Sequence, residues 1–183
     1  MKSSNVGRPS LSPPATIDQR VQTTKSAIRQ SLEKGLANPE LRAQKVNGMY
    51  DHQFAGHGNS RHGAQTTTQQ HEQRVFTGAR PDGGADSYAP RTSSHWNSQQ
   101  SQLAARHAAQ SEFQNNKQTG HSQPTQENGN LAFKPLLGRR QETGISSTRQ
   151  GSARNPTGIR NTQTTGASVI LRSDGSYLTD FPE

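Results

Sequence analysis

The sequence predicts an α+β fold, with N-terminal helices followed by a small antiparallel sheet ending in a C-terminal hairpin, behind a disordered N-terminal leader. Three observations carry that prediction. Apolar residues recur at helical spacing in the first two thirds of the chain, behind recognisable helix starts. The chain closes on GASVILRSDGSYLTDFP, two strand-like runs around Asp174-Gly175. Only 26% of the 183 residues are hydrophobic and 5% aromatic, so the core is thin and part of the chain cannot offset the entropy of ordering.

The elements follow in order. Residues 1–15 (MKSSNVGRPSLSPPA), rich in Ser and Pro, are the disordered leader. Residues 16–50 form a helical segment. Thr16 and Gln19 have capping-box spacing, and Ile17, Val21, Ile28, Leu32 and Leu36 share one face before Asn38-Pro39 ends the helix. Pro39 starts a second short helix ending near Met49. This segment reads either as a helical hairpin covering another part of the protein or as a docking helix for a chaperone or partner. Residues 51–183 form the α+β domain. Within it, residues 51–60 (DHQFAGHGNS) are a loop with two histidines. A helix over 66–76 is closed by Gly78, and Pro81-Asp82-Gly83 is a turn. Ser98 caps a helix that ends at Phe113 and carries Leu103, Ala104, Ala108 and Ala109. Residues 114–130 are loop by composition, and 131–137, broken by Pro135, form an edge strand at best. Residues 138–163 are rich in Gly, Ser, Thr, Asn and Arg. Residues 168–172 and 177–181 are the closing hairpin.

The net charge of +8 and a pI near 10.4 predict attraction to polyanions. The charge is concentrated. Lys134, Arg139, Arg140, Arg149, Arg154, Arg160 and Arg172 face only Glu142 in their span, a local balance of +6. This segment reads either as a solvated basic loop or as a nucleic-acid groove beside the hairpin. There is no cysteine, hence no disulfide and no thiolate metal site. No G-x-x-x-x-G-K-[ST] loop, H-E-x-x-H pair or G-x-S-x-G elbow occurs, which argues against a phosphate-loop NTPase, a zinc protease and a serine hydrolase of that type. His57 and His62 are five apart, a weak metal spacing, so neither metal nor cofactor is expected. No apolar run approaches the ~18 residues of a membrane span. The leader lacks the apolar core of an export signal and is similar to leaders of type III secreted effectors. Secretion by a non-Sec route into a target cell is one expectation, and a cytoplasmic protein the other.

HGAQTTTQQ, the arginine of QRVFTGARPDG, RTSSHWNSQQSQLAA and the closing ASVILRSDGSYLTDFP resemble, in content and order, a C-terminal toxin domain of bacterial polymorphic toxins of the contact-dependent inhibition and Rhs type. The resemblance covers about residues 62–182. Two departures stand out. Ser93-Ser94 is followed by His95-Trp96 where such domains carry an S-R-F-like aromatic, and Leu137-Gly138-Arg139-Arg140 stands where they have a Gly-Tyr-like segment. Many such domains are metal-independent ribonucleases of the barnase–EndoU–colicin–RelE group. The resemblance therefore implies RNA, such as a tRNA or other structured RNA, as substrate. It also implies an acidic immunity protein as partner, and the docking-helix reading of residues 16–50 a secretion chaperone.

Metal-free RNA cleavage uses the substrate's 2′-hydroxyl as nucleophile. It needs a base, an acid and cations around the phosphate. His62 is the expected base or acid, because histidine titrates near neutrality. Arg74 is the expected electrostatic stabiliser. The hydroxyls of Thr165, Ser168 and Thr179 are placed on or beside the hairpin to orient phosphate. Arg139, Arg140 and Arg149 are expected to bind substrate, and Tyr177 to stack on a base. Each also has a plainer role: helix cap, exposed arginine, strand former or core ring. The alternative function is a non-enzymatic type III-like effector or a basic protein that binds nucleic acid or a partner.

Overall fold

A short helix-starting signal opens the described chain. Asn38 accepts from the backbone N–H groups of Glu40 (3.1 Å) and Leu41 (3.3 Å), and Pro39 occupies the first helical turn. The structure, a computed structural model, describes residues 38–138 and 141–183. The expected leader, the helix over 16–37, Arg139 and Arg140 lie outside the described residues. Asn38–Glu183 form one compact unit.

Helix α1 is Pro39–Phe54 and α2 is Gly58–His62. The expected end near Met49 and the expected loop over 51–60 are therefore corrected. The physical reason is Asp51. Its carboxylate accepts from Asn59 N (3.1 Å) and Ser60 N (2.9 Å), so a side chain on α1 caps α2 from a distance. Helix α3, Thr68–Thr77, has a complete Thr67/Gln70 capping box and ends on Gly78 in the left-handed region, close to expectation. The Pro81–Gly83 turn forms, with Gly83 N bonded to Arg80 O at 3.0 Å.

Strand β1 is Thr92–Trp96, and α4 is Gln99–Thr119, with the Ser98 hydroxyl accepting from Ser101 N. Helix α4 runs six residues past Phe113 into the expected loop. No breaker intervenes before Gly120, whose left-handed conformation ends the helix, and Gln123 Nε2 adds a bond to Phe113 O at 3.1 Å. Strands β2 (Leu131–Phe133), β3 (Gly144–Gly151), β4 (Pro156–Thr164), β5 (Ala167–Leu171) and β6 (Tyr177–Pro182) follow.

They form two antiparallel sheets, ordered β1-β3-β4 and β2-β5-β6. The second contains the expected hairpin, with β2 on its edge. Its turn needs Gly175: φ is +84°, and a Cβ there would lie 2.2 Å from the Phe113 ring. The first sheet was not foreseen, because β3 and β4 are almost wholly polar. Ser147 is buried within it, and α3 packs on one of its faces.

The apolar core lies between α4 and the second sheet. It comprises Trp96, Ala105, Ala109, Phe113, Leu131, Phe133, Ala167, Val169, Leu171 and Tyr177. Beside it sits a buried polar hub. Asp180, 0% exposed, accepts at Oδ1 from Trp96 Nε1 (2.7 Å) and Gln102 Nε2 (2.7 Å). At Oδ2 it accepts from Tyr177 OH (2.6 Å) and from Arg106 Nε. Arg106 reaches on to Asn47 O (2.9 Å), Tyr177 OH (2.7 Å) and Asp51 (3.4 Å), so α1 joins the same network. Gly58 lets α2 close onto it, since a Cβ there would lie 1.8 Å from the Tyr177 hydroxyl oxygen.

Removing the negative charge of Asp180 leaves the Arg106 guanidinium buried with a weaker counter-charge. Asp180→Asn is expected to lower the free energy of unfolding by about 3–5 kcal/mol. Urea denaturation followed by fluorescence of the single tryptophan, Trp96, measures it.

Candidate functional site

The alternation of a strand places the site. In β6, Asp180 faces the core, while Thr179 and Phe181 line a cavity of about 450 Å³ on the other side. Its wall is completed by His57 and His62 from the two ends of α2, Arg74 from α3, Thr92, Ser93 and Ser94 from β1, Ser146 from β3, and Pro182 and Glu183. The cavity thus sits where the two sheets meet. Ser94 Oγ donates across that seam to Pro182 O at 2.8 Å.

His62 is 9% exposed, and its Nδ1 is 2.7 Å from Ser94 O. A carbonyl only accepts, so Nδ1 carries the hydrogen and Nε2 holds the lone pair. Burial lowers its pKa from 6.5 to about 4, against the raising effect of the Ser94 bond. The free site therefore presents a neutral imidazole at neutral pH. His57 has its pKa lowered as well, by burial first and then by Arg61.

Behind the cavity, His71 and His95 are also neutral, and their partners fix their tautomers. Thr66 Oγ1 donates to Gly63 O (2.8 Å), so it accepts from His71 Nε2 (2.9 Å). His71 Nδ1 then accepts from Ser93 Oγ at 2.7 Å, and Arg74 Nη1 donates to that hydroxyl at 3.4 Å. Burial first, then the repulsion His62 and His95 would exert once protonated, and the Arg74 charge, hold His71 far below its ordinary value. His95 gives Nδ1–H to Trp96 O (3.2 Å) and takes Thr68 Oγ1–H at Nε2 (3.1 Å), and burial lowers its pKa too. The His62–His71 and His71–His95 ring centroids are 5.9 and 5.2 Å apart. Among the described residues, no group of three or more His, Asp or Glu side chains has the arrangement to hold a metal ion.

Arg74 is fixed by Asp86, with Nε to Oδ2 at 2.8 Å, and by Ser93, with Nη1 to Oγ at 3.4 Å, and it lines the cavity wall. The Thr179 hydroxyl is buried without a hydrogen-bond partner among the described residues. Glu183, at the rim, is held by Lys134 Nζ (2.8 Å) and Ser168 Oγ (2.8 Å). Lys134 and Ser168, with the burial that opposes them, leave its carboxyl pKa below the ordinary value.

Of the residues singled out from the sequence, the cavity brings together His62, Arg74 and Thr179. The other described ones lie elsewhere, and Arg139 and Arg140 are outside the described residues. Thr165 is exposed in the link between β4 and β5, not on the hairpin strand. Ser168 is buried and orients Glu183. Tyr177 is 2% exposed, with Arg106 stacked 4.3 Å from its ring centroid, so no face is open to a base. Arg149 is 5% exposed, and its Nη1 is given to the carbonyls of Val75, Ala89 and Pro90. It holds the end of α3 onto β3 and is not available to phosphate. Eight cavity residues, His57, Thr92, Ser93, Ser94, Ser146, Phe181, Pro182 and Glu183, were not among the expected site residues. Phe181 was readable, standing two residues from Thr179 on the same strand face. Comparison with protein-family models, characterised proteins and solved structures found no match to this chain.

The buried histidines tie stability to pH. Folded pKa values below the unfolded 6.5 mean that the unfolded chain takes up protons first as the pH falls. Stability is full above pH 6.5 and is lost from there down towards pH 4, at up to about 1.4 kcal/mol per pH unit per histidine. Urea midpoints at pH 7 and pH 5 are expected to show this loss, and His71→Gln is expected to flatten the slope.

Proposed function

We propose that this chain is a metal-independent ribonuclease of the polymorphic-toxin kind, acting on RNA in a target cell. The observation that carries the reading is the convergence of two neutral histidines, His57 and His62, on one cavity with a fixed arginine and an unpartnered hydroxyl. Two proton carriers are what transesterification of RNA requires. The order of motifs that resembles terminal toxin domains supports the biological setting. Delivery by a non-Sec route and an acidic immunity partner belong to the same proposal. Among the described residues no helix is long and apolar enough to cross a membrane.

In this reading His62 Nε2 takes the proton of the 2′-hydroxyl, and the 2′-oxygen forms a bond to phosphorus. The bond from phosphorus to the 5′-oxygen breaks, and His57, protonated in the complex, gives that oxygen its proton. The products are a 2′,3′-cyclic phosphate and a free 5′-hydroxyl. An anionic phosphate next to the imidazoles raises their pKa values towards neutrality, opposing the effect of burial. The Arg74 guanidinium and the Thr179 hydroxyl donate to the phosphate oxygens where negative charge builds up. Phe181, 5.8 Å from the His62 ring, offers an apolar surface for a base.

The test is incubation of purified RNA with the protein in EDTA, beside His62→Ala, His57→Ala and Thr179→Val. The parent is expected to give fragments with 2′,3′-cyclic phosphate ends. Each histidine variant is expected to lose about 10²–10⁴-fold in rate, and Thr179→Val less. Intact RNA from a folded parent overturns the enzyme reading and leaves a basic effector that binds without cleaving.

A further inference from the structure

Cross-strand register shows where the cavity opens. Residues directly opposite one another in an antiparallel sheet point to the same face. In β1-β3-β4 the row Ser94–Ser146–Thr162 reaches the cavity at Ser94 and Ser146, and the row beside it, Thr92–Thr148–Arg160, reaches it at Thr92. Thr92 and Thr148 touch through their hydroxyls at 3.4 Å. The next pair along is Gln150 opposite Gly158, where no atom lies within 4 Å of the glycine's open side. This face carries hydroxyls and a guanidinium and no acid. Helix α3 packs on the opposite face, where Asn161 holds Glu72 at 2.7 Å.

Arg160 is exposed on this face, and Arg154 is exposed in the turn between β3 and β4. Neither has a hydrogen-bond or ion-pair partner among the described residues. The other described cations of the basic segment are occupied. Lys134 pairs with Glu183, Arg149 holds three carbonyls, and Arg172 is bonded to Phe54 O (2.9 Å) and Tyr177 O (2.7 Å). The segment that looked evenly basic in sequence therefore offers its free positive charge, among the described residues, at Arg154 and Arg160.

We propose that the hydroxyl-lined face of β1-β3-β4 is a track for single-stranded RNA. It leads out of the cavity, with Arg160 binding the phosphate next to the scissile one and Arg154 a phosphate further along. This rests on the ribonuclease reading and adds to it the path and the strandedness of the substrate. Strand rows are about 5 Å apart across the sheet, so Arg160 stands two strands from Thr92 at the cavity wall. A guanidinium on a long stem spans the remaining distance to a backbone phosphate. The flat face offers hydroxyls and open backbone, which suit an unpaired strand.

The experiment is fluorescence anisotropy of a labelled single-stranded RNA of about twelve nucleotides, titrated with protein at several salt concentrations. Arg160→Gln is expected to weaken binding roughly two- to fivefold and to reduce the slope of log K against log salt by about 0.7. Adding Arg154→Gln is expected to roughly double the change in slope. Lys117→Gln, an equal change of charge on exposed α4, serves as the control and is expected to leave the slope unchanged. Equal behaviour of Arg160→Gln and Lys117→Gln overturns the track, as does absence of binding by the parent at low salt. Binding that depends on Arg160, with RNA left intact in the cleavage assay, keeps the track and removes the ribonuclease. Arg160 is exposed, so its substitution is expected to change stability by no more than about 0.5 kcal/mol. A thermal melt of each variant confirms that affinity is compared between folded proteins.

Discussion

One carboxylate holds the molecule together. Asp180 collects hydrogen bonds from β1, α4 and its own strand, and through Arg106 it ties in α1. The two sheets have no strand in common, and this hub is where β1 of one meets β6 of the other. All four of its partners are donors, and the Tyr177 hydroxyl both gives to Asp180 and receives from Arg106. An acceptor-only group with its lone pairs so filled escapes the penalty that a half-satisfied buried charge would carry. The cavity lies across the same strand, so whatever fixes Asp180 also fixes the orientation of Thr179 and Phe181.

The site repeats that logic on a smaller scale. From Gly63 through Thr66, His71 and Ser93 to Arg74, every hydrogen has one donor and one acceptor assigned. Burial, with the Arg74 charge beside it, keeps His71 neutral, so its two nitrogens serve Thr66 and Ser93 in fixed roles. His62 differs: one nitrogen is committed to Ser94 O, and the residue lines the cavity. A chain with little apolar material thus replaces part of a hydrophobic core with directed polar contacts. Such contacts specify one arrangement more narrowly than oil-like packing does.

Local chemistry was legible in the sequence and long-range chemistry was not. The Thr67 box, the Ser98 cap, Gly78 and the Asp174-Gly175 turn each act within a few residues and could be read directly. Helix α2 could not, because its cap comes from Asp51 on another helix. Strands β3 and β4 show no alternation of apolar residues, since the face under α3 is filled by Ser147 and Arg149. The same limit applies to the site. His62, Arg74 and Thr179 share a cavity, but residue type did not distinguish Arg149, which holds carbonyls, from Arg160, which faces solvent. Tyr177 read as a base platform because its burial is set by Arg106 and Asp180, distant in the chain.

The two halves of the cavity come from opposite ends of the described chain, His57 and His62 near its start and Thr179 and Phe181 on its last strand. During synthesis the first half leaves the ribosome long before the second exists. Until β6 adds to β5, the Asp180 hub has no centre, Trp96 and Arg106 lack their acceptor, and the imidazoles face open solvent. A nascent chain is thus chemically incomplete up to the point at which its final strand docks.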